Sequence, residues 1–420
     1  MRDFRDSNVA RRSFLTTSGL LLGSLAATRV AALEPLLIPG CGPAEVQRGT
    51  WHPSETLLQR LPGLMREASV PAVSIGVVEG GEVTFARALG VRKSTTGEPA
   101  NEHTVFEAAS LSKPPVAYVA MLLREEGLLD IDRPLVEYLE PAQLLDDPRA
   151  RRITARHLMS QSSGLRNWRR PRDTEFPLSF QPGSQYQYSG GGFVWLVRVL
   201  EQVTGTGFVR FMRERLFDPL GLDATTFLWN PSFSDRMATG HDRQGDPTRG
   251  GMHLTMARAH HEIAAKWNKP VEDWMWDDLV RAARQENPTR EPAAGGLVPN
   301  AAASLLTTAA QYALFTAQVL DSPPPGPAAL SPESRALMLT LHTTVQGPLA
   351  WGLGFALEDR DDSRYVWHWG NNGDFHSFVI GDVTAGRTLV VLTNATGGPS
   401  VYNAIVRDIV GFDPASLDWI

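Results

Sequence analysis

The sequence predicts an α+β protein in which an antiparallel sheet is built from both chain ends and a mostly helical lobe is inserted between them. Runs rich in β-branched and apolar residues occur at 72–89, near the start, and at 364–394, near the end. The intervening stretch, about 125–340, shows helical periodicity and turn residues but few strand runs. Strands at both ends with helices between them are typical of an α+β arrangement with segregated layers.

The first 32 residues are predicted to be an export signal. Arg11-Arg12 begins a twin-arginine pattern, and a modest apolar run follows from 19 to 27. This run is too short to remain as a membrane span. We therefore expect a periplasmic or secreted protein, with residues 33–50 as a linker and no integral membrane span in the mature chain. Lipoprotein anchoring at Cys41 is the less favoured alternative, because a proline and nearby charges fit a cleavage site poorly.

Residues 51–420 are predicted to form the folded domain, which begins with a helix and a hairpin. Ser54 can cap a helix that carries leucines at helical spacing. The apolar runs 72–78 and 82–89 flank Gly80-Gly81, which is the pattern of a β-hairpin. Near the other end, strands are predicted at 364–368, 375–381 and 388–394, followed by a last helix at 401–410.

Ser110 and Lys113 stand at the start of a predicted buried helix. Apolar residues recur at helical spacing from Val116 to Leu123, and Gly127 stops the helix. Lys113 then lies one turn from Ser110 on the same face. A buried lysine can lose its charge and accept the serine proton, which arginine cannot do. The chain places one of its four lysines here, although it uses arginine nearly everywhere else. The alternative is a serine that only caps the helix.

Tyr188 precedes three glycines, Gly190 to Gly192, and an apolar helix predicted at 194–203. A tyrosine on a glycine-bearing loop can present its hydroxyl where backbone comes close. Near a lysine ammonium the phenolate form is favoured and can take the serine proton. The alternative is a tyrosine packed at a helix start.

His368, Trp369 and Gly370 end a predicted strand. Alternation places His368 and Gly370 on one face and Trp369 on the other. A glycine at this position would let a substrate carbonyl approach the strand edge, where a backbone N–H can bind an oxyanion.

These three clusters, in this order, resemble the penicillin-recognising serine hydrolases, which include class C β-lactamases, D-Ala-D-Ala carboxypeptidases and related esterases. That family carries Ser-x-x-Lys, then Tyr-x-Asn, then Lys/His-x-Gly on a terminal strand. Supporting stretches occur at 153–165, 182–184, 218–222, 295–297 and 351–355. The resemblance covers about residues 54–410 and implies a β-lactamase/transpeptidase-like fold.

The resemblance implies Ser110 as nucleophile, Lys113 and Tyr188 as base pair, and His368 as the strand residue that tunes them. It also implies an oxyanion hole formed by the backbone N–H groups of Ser110 and Asn371. Gly190, Gly370 and Trp369 would border the substrate. Position 190 departs from the family pattern, since this chain has glycine where asparagine is expected. Gln161 stands where many relatives have histidine. The loss of that asparagine favours esters or small amides over β-lactams.

Other sequence features limit the possible functions. A net charge of −6 without basic blocks argues against nucleic acid or anionic membranes as partners. No Gly-x-Ser-x-Gly motif occurs, and the His261-Glu262 pair lacks the second histidine of a zinc-protease helix. We therefore expect no metal or organic cofactor.

The insertion 256–291 carries three tryptophans and is expected to be either a lid at the substrate entrance or a helix pair that packs its own aromatics.

The favoured function is therefore an exported serine hydrolase that acts on a small-molecule or peptide substrate. A true β-lactamase or D-Ala-D-Ala carboxypeptidase is the nearest alternative, and a catalytically silent binding protein on the same fold is the alternative of another class. The acyl group, the leaving group and the oligomeric state are not indicated by the sequence.

Overall fold

A computed structural model of the chain describes residues 50–140, 147–168, 178–248, 252–286, 297–320 and 326–420. The expected export signal at 1–32, nearly all of the linker, Cys41 and Gly295-Gly296 lie outside these ranges, so the predictions made for them stay predictions. Within the described ranges, no helix is both long enough and apolar enough to cross a bilayer.

The strands follow the chain as β1 Ala72–Glu79, β2 Glu82–Lys93, β3 Glu98–Pro99, β4 Phe106–Ala109, β5 Leu305–Thr307, β6 Thr343–Gln346, β7 Leu349–Trp351, β8 Ala356–Arg360, β9 Ser363–Asn371, β10 His376–Asp382 and β11 Arg387–Thr393. In the described residues, nine of them form one antiparallel sheet in the order β3-β2-β1-β11-β10-β9-β8-β7-β6, while β4 and β5 form a separate pair.

The two ends of the chain meet in this sheet. β1 pairs antiparallel with β11, in a register that places Val73 opposite Thr393. The predicted hairpin forms at Gly80 and Gly81, both of which have positive φ, and the three predicted C-terminal strands become β9, β10 and β11. The predicted α+β fold with a sheet lobe built from both termini is confirmed.

Both faces of the central strands are covered, which explains why their sequences are apolar without a polar alternation. Val73, Ile75 and Val77 point into one hydrophobic cluster, which includes apolar residues of the first helix and the last two helices. Val390 and Leu392 of β11 point into the other cluster, which is shared with the helical lobe.

The helices are α1 Glu55–Glu67, α2 Lys113–Glu125, α3 Ala155–Met159, α4 Gly190–Thr204, α5 Phe208–Met212, α6 Met252–Trp267, α7 Trp276–Glu286, α8 Ala309–Leu320, α9 Pro332–Met338, α10 Gly398–Val410 and α11 Ala415–Trp419. Ser54 caps α1 as predicted, because its side chain accepts a hydrogen bond from the N–H of Leu57. The central helix α2 is buried from Lys113 to Leu123.

The predicted end of the helical lobe, at about residue 340, is too late. Helix α8 packs directly on β1 and β11 of the sheet. The contact is so close that a Cβ at Gly76 would lie 2.6 Å from the backbone of Ala309. Periodicity could not reveal this, because a helix that covers a sheet and a helix in a separate lobe have the same apolar stripe.

The insertion forms α6 and α7, and its tryptophans pack inward. Trp274 is 1% exposed and belongs to the main core, with the Trp267 ring 4.9 Å away. The remaining tryptophan, Trp276, is partly buried beneath the guanidinium of Arg198. Of the two alternatives, the structure supports the helix pair that packs its own aromatics; residues 287–291 lie outside the described ranges.

Candidate active site

The turn that carries Ser110 is held by hydrogen bonds to two paired strands, β4 and β5. β4 ends at Ala109, whose φ of 50° and ψ of −124° are unusual for a residue with a side chain, and Ser110 begins a short 3₁₀ turn before α2. Ser112 holds this turn, because its hydroxyl donates to Ala109 O at 2.6 Å and accepts from the N–H of Leu305 at 3.0 Å. Ser110, at the start of this turn, is partly exposed, whereas Ser112 is fully buried.

Lys113 meets Ser110 as the spacing predicts. Its Nζ lies 2.9 Å from Ser110 Oγ and 2.8 Å from the carbonyl oxygen of Ala302. The lysine is 1% exposed, and this burial lowers the pKa of its ammonium group well below the usual value. The lowered pKa favours loss of the ammonium proton, and the amine lies within hydrogen-bond distance of the serine hydroxyl.

Tyr188 lies beside the same lysine. The Lys113 Nζ is 4.7 Å from the centre of the Tyr188 ring. Burial raises the pKa of the Tyr188 hydroxyl, and the nearby Ser110 hydroxyl lowers it by less. The hydroxyl has no partner with good hydrogen-bond geometry among the described residues. The phenolate expected from the sequence is thus not favoured, because burial outweighs the attraction of a lysine that itself tends to be neutral.

Gln161 accepts hydrogen bonds from the two residues that flank Tyr188 in the sequence. Its carbonyl accepts from the N–H of Gln187 at 2.8 Å, and its side-chain oxygen accepts from the N–H of Ser189 at 2.6 Å. The glycines that follow were expected on a loop, but α4 begins at Gly190 with Ser189 as its cap. The tyrosine is therefore positioned by a helix start on one side and by Gln161 on the other.

His368 on β9 is fully buried behind the lysine. Its Nδ1 lies 2.7 Å from the carbonyl of Trp369, and since a carbonyl only accepts, Nδ1 carries the proton. Burial and the charge of Lys113 lower the pKa of His368 to about 3. The ring is consequently neutral in the physiological range.

Gly370 has a different role from the one expected. A Cβ at this position would collide with Ala108 O and Ser377 Oγ. The space beside Gly370 is thus taken by the strand that leads to Ser110, and the glycine allows that strand to dock on β9 rather than admitting a substrate carbonyl.

Asn371 presents its backbone N–H at the open edge of β9. Asn372 N donates to Phe375 O at 3.0 Å, so alternation along the hairpin makes Asn371 and His376 a non-hydrogen-bonded pair. The Asn371 N–H then points away from β10, and the pairing with β8 ends before it, at Trp367. The turn is held by Asn372, whose side chain donates to Glu107 Oε2 at 2.9 Å.

Alternation along β9 predicts that Trp369 and His368 lie on opposite faces, but their rings stack with centroids 5.3 Å apart, so Trp369 reaches the candidate site. Its ring is 4.9 Å from that of Tyr188 and 5.3 Å from that of Trp419 on the last helix. An apolar aromatic group therefore borders the tyrosine. No group of three or more potential metal ligands occurs within the described part of the chain.

Comparison with known proteins accounts for this arrangement. The family profile named Beta-lactamase matches residues 57–410. The chain belongs to the beta-lactamase family. Members of this family are serine hydrolases that include esterases, peptidases and β-lactamases.

Relatives of this beta-lactamase-family chain carry several activities in their names. Esterase EstB of Burkholderia gladioli is 27% identical over 81% of this chain and 90% of its own length. Penicillin-binding protein 4 of Amycolatopsis lactamdurans is 25% identical over 84% of this chain and 88% of its own. Lovastatin esterase of Penicillium rubens is 33% identical, but the match spans only 35% of this chain and 46% of that esterase.

Solved structures show the same fold. A D-alanine carboxypeptidase, AmpC of Burkholderia cenocepacia, superposes with a TM-score of 0.64 at 18% identity, covering 85% of this chain and 97% of that one. A class C beta-lactamase superposes with a TM-score of 0.65 at 15% identity, covering 85% and 95%. Identities this low establish the fold alone.

Three contributors to the site of this family member were not foreseen from its sequence. They are the carbonyl of Ala302, the hydrogen bonds accepted by Gln161, and Trp168, whose indole lies against Gly190. The first is a backbone atom and carries no residue-type signal. Gln161 stands out in the sequence only as a departure from relatives, and Trp168 sits on a loop without periodicity.

Proposed function

We propose that this chain is a serine hydrolase that cleaves small esters through an acyl-enzyme formed on Ser110. The observation that carries the proposal is the 2.9 Å approach of Lys113 Nζ to Ser110 Oγ in a buried setting that lowers the lysine pKa. A serine hydroxyl is a weak nucleophile until a base takes its proton, and a neutral lysine is such a base. The same pair argues against a catalytically silent binding protein.

In the acylation step, Ser110 Oγ attacks the carbonyl carbon while Lys113 takes the hydroxyl proton. The carbonyl oxygen becomes an oxyanion, which the N–H groups of Ser110 and Asn371 stabilise. The bond to the leaving oxygen then breaks, and that oxygen receives a proton through the Tyr188 hydroxyl, which Lys113 replenishes. The products are a free alcohol and an ester of Ser110.

In the deacylation step, water attacks the Ser110 ester and gives up a proton to the base pair of Lys113 and Tyr188. The second tetrahedral intermediate uses the same two backbone N–H groups. Its collapse releases the carboxylic acid, and the proton returns to Ser110 Oγ. Neutral His368 adds no second positive charge beside Lys113, so it does not oppose the transient lysine ammonium.

The ester preference follows from Gly190. An amide or β-lactam places an N–H beside the nucleophile, and an unpaired buried amide costs about 1–3 kcal/mol. The family's asparagine would pair with that group, but glycine cannot. An ester lacks the N–H and has a better leaving group. The similarity to Esterase EstB over most of the chain supports the same class of substrate.

We therefore expect short-chain p-nitrophenyl esters to be hydrolysed and a chromogenic cephalosporin to be turned over slowly or not at all. The missing amide partner alone predicts a roughly tenfold to hundredfold penalty on lactam acylation. The measurement is kcat/KM for p-nitrophenyl butyrate and for the cephalosporin at one pH, with Ser110→Ala as background. Efficient cephalosporin turnover without ester hydrolysis would reverse the preference and favour the β-lactamase alternative.

The pH dependence should report Lys113 rather than His368. Lys113 acts as a base only when it is neutral, so kcat/KM is expected to rise with pH as this lysine, with its lowered pKa, loses its proton. His368 is already neutral above about pH 3. In His368→Gln the rising limb should therefore persist, even if the absolute rate falls. A pH profile of His368→Gln that is flat where the wild type rises would transfer the titration to the histidine.

A further inference from the structure

Position 190 has no room for a side chain. A Cβ on Gly190 would lie 2.5 Å from Cζ2 and 2.7 Å from Cη2 of Trp168. These distances are shorter than real Cβ contacts, so an asparagine could enter only if the indole moved. The volume in which a side chain at 190 would begin is filled by a residue 22 positions earlier in the chain.

Hydrogen bonds attach the loop that carries Trp168 to the start of α4. The side-chain oxygen of Asn167 accepts from the N–H of Gly190 at 2.8 Å, and its carbonyl accepts from the N–H of Gly191 at 2.7 Å. The hydroxyl of Ser189 donates to the carbonyl of Arg166 at 2.9 Å. The indole is half-buried, and the hydrogen bonds of Arg166 and Asn167 to the start of α4 hold it against Gly190.

The lysine does not need a side chain at 190. Its Nζ already donates to the carbonyl of Ala302 at 2.8 Å, next to its contact with Ser110. With glycine at position 190, the Lys113 amine therefore keeps its hydrogen-bond partners. What differs from the family pattern is the surface at position 190, two residues after Tyr188, that a substrate would contact. That surface presents an indole in place of an amide.

We propose that Trp168 is a specificity-determining residue, which closes the site beside Gly190 with an apolar wall and selects esters of short aliphatic or aryl acids over acylamino substrates. This inference rests on the proposed esterase function and names the acyl group that it accepts. Indole is a large apolar surface whose face accepts an amide N–H much more weakly than the oxygen of an asparagine side chain does. Trp369, whose ring contacts Tyr188, adds a second indole beside the same tyrosine.

Trp168 and Gly190 should behave as a coupled pair. In Trp168→Ala the wall recedes, so the ratio of kcat/KM for p-nitrophenyl octanoate over butyrate should rise about tenfold or more, the usual scale for methylene-sized changes in a pocket. Gly190→Asn alone should lower kcat/KM for every ester at least about tenfold, because the side chain displaces the indole. The double variant should recover, and its cephalosporin-to-ester ratio should exceed that of Trp168→Ala about tenfold.

The matched control is Trp267→Ala, which removes a helical-lobe indole that packs on Trp274 away from position 190. It should leave the chain-length ratio within about threefold of the wild type. Labelling by a fluorophosphonate, with circular dichroism, shows that each variant is folded. If Trp168→Ala does not fold, Trp168→Phe serves in its place and should shift the ratio in the same direction by a smaller factor.

An unchanged chain-length ratio in the folded Trp168 variant would overturn the proposal, as would wild-type kinetics in Gly190→Asn. Either result leaves the esterase proposal standing as long as the wild type hydrolyses esters through Ser110. Ester hydrolysis that survives in Ser110→Ala would instead refute the proposed function, whatever the Trp168 variants do.

Discussion

Replacing Ser110 with alanine is expected to abolish ester hydrolysis while leaving the fold intact. The hydroxyl is the atom that Lys113 Nζ approaches at 2.9 Å, and without it no acyl-enzyme can form. Loss of a serine nucleophile costs on the order of a millionfold in a well-studied hydrolase. We expect at least about a 10⁴-fold fall in kcat/KM for p-nitrophenyl butyrate, with the melting temperature close to that of the wild type.

Ser112→Ala is the matched control, because it also removes a serine hydroxyl, two residues further along the same turn. Ser112 is fully buried and makes hydrogen bonds with Ala109 and Leu305, so its loss should cost stability, about 1–3 kcal/mol, more than chemistry. The folded Ser112→Ala protein should still acylate. A Ser110→Ala protein that retained most of its activity would remove Ser110 from the mechanism.

Replacing Lys113 with arginine is expected to be nearly as damaging as replacing it with alanine. Arginine keeps a positive charge but cannot give up its proton in a protein, so it cannot accept one from Ser110. General-base catalysis is commonly worth about 10²- to 10⁴-fold. Both variants should therefore lose at least about a hundredfold in kcat/KM, measured with p-nitrophenyl butyrate under single-turnover conditions.

The matched control for this change is Lys269→Arg. Lys269 is half-exposed and forms a 2.6 Å ion pair with Asp278 in the helical lobe, where arginine can serve equally well. Its kinetics should match those of the wild type. A near-normal rate in Lys113→Arg would mean that position 113 supplies only charge or packing.

Much of the fold could be predicted because local patterns agree with the final packing. The hairpin at Gly80-Gly81 and the strand that ends at Asn371 have strand-forming sequences and lie in the sheet. The spacing of Ser110 and Lys113 also fixes their contact, because a single helical turn leaves little freedom between them.

What could not be predicted depends on contacts between distant segments. The strand pattern predicts that Gly370 lets a substrate approach, but the carbonyl of Ala108 fills that space. The tryptophans of the insertion occur in a polar stretch, yet Trp274 is buried in the main core. The predicted phenolate of Tyr188 is not favoured either. A phenolate needs a nearby cation, but the burial that lets Lys113 act as a base lowers the pKa of its ammonium group, and burial also raises the pKa of the Tyr188 hydroxyl.

The most direct test of the account is covalent labelling of the protein by a fluorophosphonate, followed by peptide mass spectrometry. The probe reacts with an activated serine and stays attached, so it identifies the nucleophile without any assumption about the natural substrate. We predict one adduct, on Ser110, that is absent from Ser110→Ala and strongly slowed in Lys113→Arg. An adduct on another serine, or equal labelling of Ser110→Ala, would contradict the assignment of Ser110 as the nucleophile.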